Sequence, residues 1–459
     1  MLKFSIIAFA LAVWSISGLV TAEGQETDDP IARLLSAPGE KLPTAPPKPV
    51  PPPTTAGPSP GTAPQGQPPV VLSARIGEHA DRTRLVLELS DPVNLRTFTL
   101  ANPDRVVVDM PEVAWRLGAP PQPTGNGSVK SYRFGLFREG NSRMVIDLNK
   151  PVTLGDTLVL PPSDGFGYRL VIDMFRAQEA SFDSNAGWPA DLKQRESEAE
   201  KAAMAEIPTS GGKKVVMIDP GHGGIDSGTN GVNGLMEKDL VLAEGLRLAQ
   251  VLKMRGYSVH MTRDSDVFIP LPQRVAMARK FHADLMISLH ADSNPDNSVN
   301  GLSIYTLNDG RSDREAGALA KRENQSDVIA GVDLSGGNNP VAPILIDLAQ
   351  RDTINKSSRF AETALARLGT TTDILARSPH RAASLAVLVA PDVPAVLIEL
   401  GYLSNSSDAA QMNTDRWRAG VAGAIADAVD RNFAPQTGTR TADGAVPAPA
   451  AGAAPKFQP

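Results

Sequence analysis

The 459 residues contain no cysteine, which excludes disulfides, a thiolate metal site and a lipid-modified N-terminal cysteine. Aromatic residues are scarce, at 5% of the chain. Basic residues do not outnumber acidic ones: the net charge is −6, so a general nucleic-acid binder is not expected. Beyond the first 22 residues no apolar run is long enough to span a bilayer. Proline and glycine, by contrast, are plentiful at 39 each and unevenly spread, so less of the chain folds than its length suggests.

That unevenness divides the chain. Lys3 precedes an apolar stretch from Phe4 to Val20 and the small-residue pattern Val20-Thr21-Ala22, which reads as a signal peptide over 1–22. Export follows, with no membrane span after signal removal. Residues 23–69 hold Pro43, Pro46, Pro47, Pro49 and Pro51-Pro52-Pro53 but few large apolar side chains. Such a segment cannot bury enough surface to offset its ordering entropy and is expected to be a disordered linker. Residues 177–212 are polar and charged, a second linker, solvated and partly helical. The Pro/Ala/Gly/Thr tail over 434–459 is expected to be disordered.

Between the linkers, 70–176 reads as short β-branched strands bounded by Pro, Asn and Asp. It also repeats itself. Arg84-Leu85-Val86-Leu87-Glu88-Leu89 returns as Arg143-Met144-Val145-Ile146-Asp147-Leu148, and Arg105-Val106-Val107-Val108-Asp109-Met110 as Arg169-Leu170-Val171-Ile172-Asp173-Met174. Such a duplication predicts two similar sheets packed as an all-β sandwich. It carries no clustered His or Glu and no nucleophile signal, so it reads as a binding module. The block resembles the AMIN domain of periplasmic cell-wall enzymes, which implies recruitment to peptidoglycan or the division septum.

In 213–433 apolar strand candidates alternate with helical patterns, the signature of an α/β domain with a mostly parallel sheet. Three strand candidates end in functional side chains: Val215–Ile218 before His222, Asp284–Leu289 before His290, and Ala395–Ile398 before Glu399. Parallel strands would bring all three to one edge, where open α/β sheets build their sites. Glu237, at the start of the helix predicted over Glu237–Met254, joins them; the inner side of that helix is predicted to carry Leu242, Leu246, Ala249 and Leu252. With no cysteine available, two imidazoles and a carboxylate with one position left for water match a hydrolytic zinc site. His260 and His282 have no such context and read as structural; His380, in Ser378-Pro379-His380-Arg381, is left open as a groove residue.

The segments Ile218-Asp219-Pro220-Gly221-His222-Gly223-Gly224, Glu237-Lys238-Asp239, Ser288-Leu289-His290-Ala291-Asp292 and Leu397-Ile398-Glu399-Leu400-Gly401-Tyr402 resemble, in order and spacing, those of the zinc-dependent N-acetylmuramoyl-L-alanine amidases. The resemblance implies His222, Glu237 and His290 as zinc ligands and Glu399 as the catalytic carboxylate. It also implies cleavage of the amide between N-acetylmuramic acid and L-alanine in the periplasm, with peptidoglycan as partner and a monomeric enzyme. Two other readings stay open: a zinc amidase for soluble muropeptides, and a silent wall-binding scaffold.

An insert at 312–369 is not needed to complete the sheet. Ser312-Asp313-Arg314-Glu315 has the form of a capping box, and the stripe Ala316, Leu319, Ala320 continues into Glu323. A carboxylate on a buried face is costly unless paired or bound to metal. After Gly336-Gly337-Asn338-Asn339-Pro340, a second helix is predicted through Val341, Ile344, Leu345 and Leu348. The region resembles the regulatory insert of division amidases. That implies Glu323 as an inhibitory zinc ligand and a LytM-type, degenerate-endopeptidase-like activator that displaces it.

Overall fold

The computed structural model describes residues 68–117, 127–163, 165–195, 198, 212–307, 313–332 and 346–434. The predicted signal peptide, nearly all of the proline-rich linker, the tail beyond Ala434 and Val341, Ile344 and Leu345 lie outside the described residues.

The first half is a β-sandwich. Its strands are β1 (Val70–Glu78), β2 (Arg82–Leu89), β3 (Arg96–Leu100), β4 (Arg105–Pro111), β5 (Ala114–Trp115), β6 (Val129–Arg138), β7 (Asn141–Leu148), β8 (Val152–Leu154), β9 (Leu158–Leu160) and β10 (Tyr168–Arg176). One sheet runs β5-β1-β2-β10-β8 with β9 on β10, and the other β3-β4-β7-β6. The duplicated phrases exchange partners: β2 of the first repeat pairs with β10 of the second, and β4 with β7. Arg84 therefore faces Asp173 across one ladder, and Arg143 faces Asp109 across the other. Both are ion pairs, at 2.7 and 2.5 Å. Directly opposed charges of this kind pin strand register. Leu85, Leu87, Val106, Val108, Met144, Ile146, Leu170 and Ile172 alternate inward to form the core between the sheets.

The expectation of a solvated linker after the sandwich is corrected at its start. Helix α1 (Glu179–Asn185) buries Phe182 in the sandwich core, and Trp188 packs edge-on against Phe98 at 5.9 Å. Two isolated aromatics among charges leave no periodicity to read, yet each carries enough apolar area to hold the chain down.

The second half is an α/β sheet of β11 (Val215–Pro220), β12 (Ser258–Met261), β13 (Leu285–His290), β14 (Ser303–Leu307), β15 (His380–Ala383) and β16 (Ala395–Glu399). Strand order is β12-β11-β13-β16-β14-β15, and only the β14–β16 pair is antiparallel. Helices cover both faces, so the central strands are buried on both sides and read as continuous apolar runs. Val216 and Ile218 face α2 (Glu237–Met254), α6 (Ile346–Leu368) and α8 (Asp415–Phe433). Val215 and Met217 face the side holding α3 (Leu271–Lys280) and α4 (Arg314–Glu323). The remaining helices are α5 (Ser326–Ile329) and α7 (Ser406–Met412). Among the described residues no helix is long and apolar enough to cross a membrane.

Two local expectations are corrected. The inner face of α2 carries Val241, Leu248, Ala249 and Leu252, while Leu246 is 43% exposed. The buried face also holds Glu237, Lys238 and Glu244, so its polarity pulls a pattern reading off register. In α4 the cap is Asp313, whose carboxylate accepts from the Ala316 backbone N–H at 2.8 Å, and Glu315 instead pairs with Arg381.

Candidate active site

β11, β13 and β16 lie side by side and parallel, so their carboxyl ends open onto one edge. His290 and Glu399 are register partners there. Just past the end of β11, His222 takes a left-handed backbone, φ 56°, which a residue with a Cβ seldom adopts. It is held from below. Arg274 donates to the carbonyls of His222 at 2.7 Å, Pro220 at 2.8 Å and Ile269 at 2.8 Å, and to the buried carboxylate of Asp219 at 2.8 Å. Arg263 donates to the carbonyls of Pro220 and Gly221. Thr262 and Ser288 complete the coordination of Asp219. Beside this turn the His290 ring lies so close to Gly221 that a Cβ there would sit 2.4 Å from its Cε1.

The side chains converge. His222 Nε2 lies 3.1 Å and His290 Nδ1 3.2 Å from Glu237 Oε1. One ligand atom from each of the three falls within 4.8 Å of the others, with all three residues buried. His222 Nδ1 donates to Asp226 at 2.9 Å, since a carboxylate can only accept. That orients the ring and turns Nε2, buried and without a hydrogen bond, toward Glu237. Glu237 is aimed by the backbone N–H groups of Thr229 and Ala291, each at 2.9 Å. Glu399 accepts from the Asp292 N–H at 3.0 Å through one oxygen, and its other oxygen is buried and unpartnered.

Electrostatics make this pocket a cation trap. Burial opposes a charge on His222, but Glu237 and Asp226 outweigh it and hold the imidazole well above its usual range. Burial likewise opposes a charge on His290, yet Glu323 and Glu237 raise it to about 10. Protons and a divalent ion compete for the same nitrogens, so a site that attracts one attracts the other. Glu399 is pushed well above the carboxylate range by burial and by the charges of Asp292, Glu237 and Glu323, against the pull of His290.

The predicted inhibitory residue is also here. Glu323, 6% exposed at the end of α4, sets Oε2 3.0 Å from His290 Nδ1 and 3.5 Å from His222 Nε2. Its neighbours fix it: Arg322 pairs with Asp292, at 2.9 Å through Nε, and Ser326 donates to Asp226. The cluster thus holds all five predicted residues, His222, Glu237, His290, Glu399 and Glu323. His260 stacks on Phe281 instead, at 3.9 Å between ring centres. The open case of His380 is answered by its partners, Glu362 at 2.6 Å and Thr306 at 3.1 Å, away from the cluster. Sequence reasoning gave no role to Asp226, Asp219, Arg263 or Arg274. Only Asp226, an acid four residues after a histidine in a glycine-rich loop, offered a signal; the arginines join the site through the fold.

Residues 216–431 match the family model for N-acetylmuramoyl-L-alanine amidase, and residues 73–158 that for the AMIN domain. An N-acetylmuramoyl-L-alanine amidase AmiC of Neisseria meningitidis is 34% identical over 376 residues, covering 79% of this chain and 90% of that protein. An AmiC of Escherichia coli is 34% identical over 382 residues, with 79% and 89% covered. Among solved structures, the amidase AmiC2 of Nostoc punctiforme is 29% identical and covers 48% of this chain and 97% of that one, at a TM-score of 0.34. With so much of each AmiC matched by this one sequence, the chain belongs to the N-acetylmuramoyl-L-alanine amidases.

Proposed function

We propose that this protein is an exported, zinc-dependent peptidoglycan amidase of the periplasm. It hydrolyses the amide between N-acetylmuramic acid and the L-alanine of the stem peptide, serves septal wall splitting, and rests in a blocked state. The observation that carries this reading is the buried convergence of His222 Nε2, His290 Nδ1 and Glu237 beside the unpartnered oxygen of Glu399.

His222, Glu237 and His290 are the zinc ligands in this reading. The donor set fits the metal: two imidazoles and a carboxylate, with the Nε2 of His222 free of hydrogen bonds and its ring oriented by Asp226. When bound, zinc supplies Lewis acidity toward a water and the scissile carbonyl. Glu399 removes the proton of the attacking water and delivers it to the departing amine nitrogen. Burial raises its proton affinity, which favours accepting that proton. The Asp292 backbone N–H holds the carboxylate so that its free oxygen does this work.

Glu323 is the resting-state stopper, because its carboxylate lies where a substrate carbonyl or water must enter. Withdrawing it requires Arg322 to leave Asp292 and Ser326 to leave Asp226, a task for a LytM-type activator. Glu399→Gln should keep one zinc per chain yet lose about a hundredfold or more of peptide release from purified sacculi. Release at the normal rate by that variant would refute the assignment.

A further inference from the structure

The outer face of the β3-β4-β7-β6 sheet is apolar, so β4 and β7 are buried on both sides, unlike ordinary sandwich strands. Phe98, Val107, Val145, Phe137 and Trp188 form a second cluster there, joined by Ile225, Phe268 and Ala330 from the catalytic half. Onto this face the insert presents the end of α5. The last carbonyls of a helix have no partner within it and favour cations. Here four consecutive carbonyls are taken by the sandwich. Arg105 donates to Val328, Arg133 to Ile329 at 2.6 Å, and Arg143 to Ala330 and Gly331 at 3.2 and 3.1 Å. The Trp188 indole N–H also reaches Gly331, at 3.0 Å. Gly331 has φ 69°, and a Cβ there would come within 3.3 Å of methyls of both Val107 and Val145. The pseudo-equivalent pair on the other sheet, Arg84 and Asp173, is partly open to solvent at 15% and 11%.

We propose that this sheet face is a receptor for the turn that ends α5, residues 328–331 of the insert, and that the sandwich thereby latches Glu323 over the metal site. The receptor function stands on these contacts; the regulatory consequence rests on the reading that Glu323 blocks the site. Only Asn324 to Asp327 separate Glu323 from the latched turn, so α4 cannot withdraw far while the arginines hold it. The same face touches the other wall of the site through Ile225, three residues after His222, and through Phe268 stacked on Phe137 at 5.9 Å.

The test compares full-length, zinc-loaded protein with Gly331→Val, Arg133→Ala and Trp188→Phe, and with Glu323→Ala as control. Basal release from sacculi is measured alongside hydrogen exchange of 316–332. Gly331→Val lies in the insert and Trp188→Phe spares both ion pairs of the sheet, whereas Arg133→Ala also removes the Arg133–Asp147 pair at 2.6 Å; unchanged exchange in β4 and β7 verifies that the sandwich keeps its fold. The expected result is faster exchange over 316–332 and basal activity raised at least about fivefold in all three variants, approaching Glu323→Ala. If Glu323→Ala is activated while the latch variants match wild type in both readouts, the latch is overturned. If Glu323→Ala is not activated, the blocking reading falls and with it the regulatory role. Exchange then decides the receptor alone: faster exchange upholds it, wild-type exchange overturns it.

Discussion

At the scale of single residues the site is governed by how His222 is held. Its left-handed backbone is a strained conformation, and Arg274 holds its carbonyl at 2.7 Å. Arg274 spans the strained turn and the buried Asp219, so one guanidinium both neutralises a carboxylate and fixes the His222 carbonyl. Arg274→Met should lower zinc affinity by about tenfold or more, read by competition with a chromophoric chelator, and Arg274→Lys should recover part of it. Unchanged zinc affinity in a folded Arg274→Met protein would mean the turn holds itself. Of the proposed ligands, His222 and His290 stand out in the sequence because each follows an apolar strand, and Glu237 because it opens a helix. Arg274 was not legible, since it sits on a separate helix more than fifty positions away and meets the loop only through the parallel packing of β11 and β13.

Among elements, α2 shows how a polar residue misleads pattern reading and then leaves a measurable trace. Glu244 is buried on its inner face with neither oxygen partnered. Burial raises its carboxyl to about 8, against the weaker pull of Arg247 and Arg418. The folded protein thus binds this proton more tightly than the unfolded chain does. Stability is fully present below the unfolded value near 4.5 and is lost as pH rises toward and through 8. Glu244→Gln cannot ionise and should escape that loss, about 3 kcal/mol at pH 7 as an upper bound. The variant's melting temperature should match wild type near pH 5 and exceed it increasingly up to pH 8. A gap that stays constant with pH would contradict the buried, protonated state. The insert helix α4 is the counterexample, where Ala316, Leu319, Ala320 and Glu323 are all buried as the stripe predicts. There the polar residue sits last and the apolar ones set the register.

Over the whole molecule, the duplication legible in the first half has become an architecture of exchanged strands with two pseudo-equivalent Arg–Asp pairs. One faces outward and one holds the insert. Neither that asymmetry nor the role of Trp188 could be read from the chain, because both depend on which sheet meets the catalytic half. In the proposed resting state the two halves enclose a zinc amidase that its own Glu323 keeps shut. The most direct measurement is on Glu323→Ala protein and purified sacculi, with products identified by mass spectrometry and N-terminal labelling, before and after chelation. The expected result is intact stem peptides with a free L-alanine amino terminus, released faster than by wild type, abolished by the chelator and restored by zinc. Peptides that still carry muramic acid, or release indifferent to chelation, would contradict it.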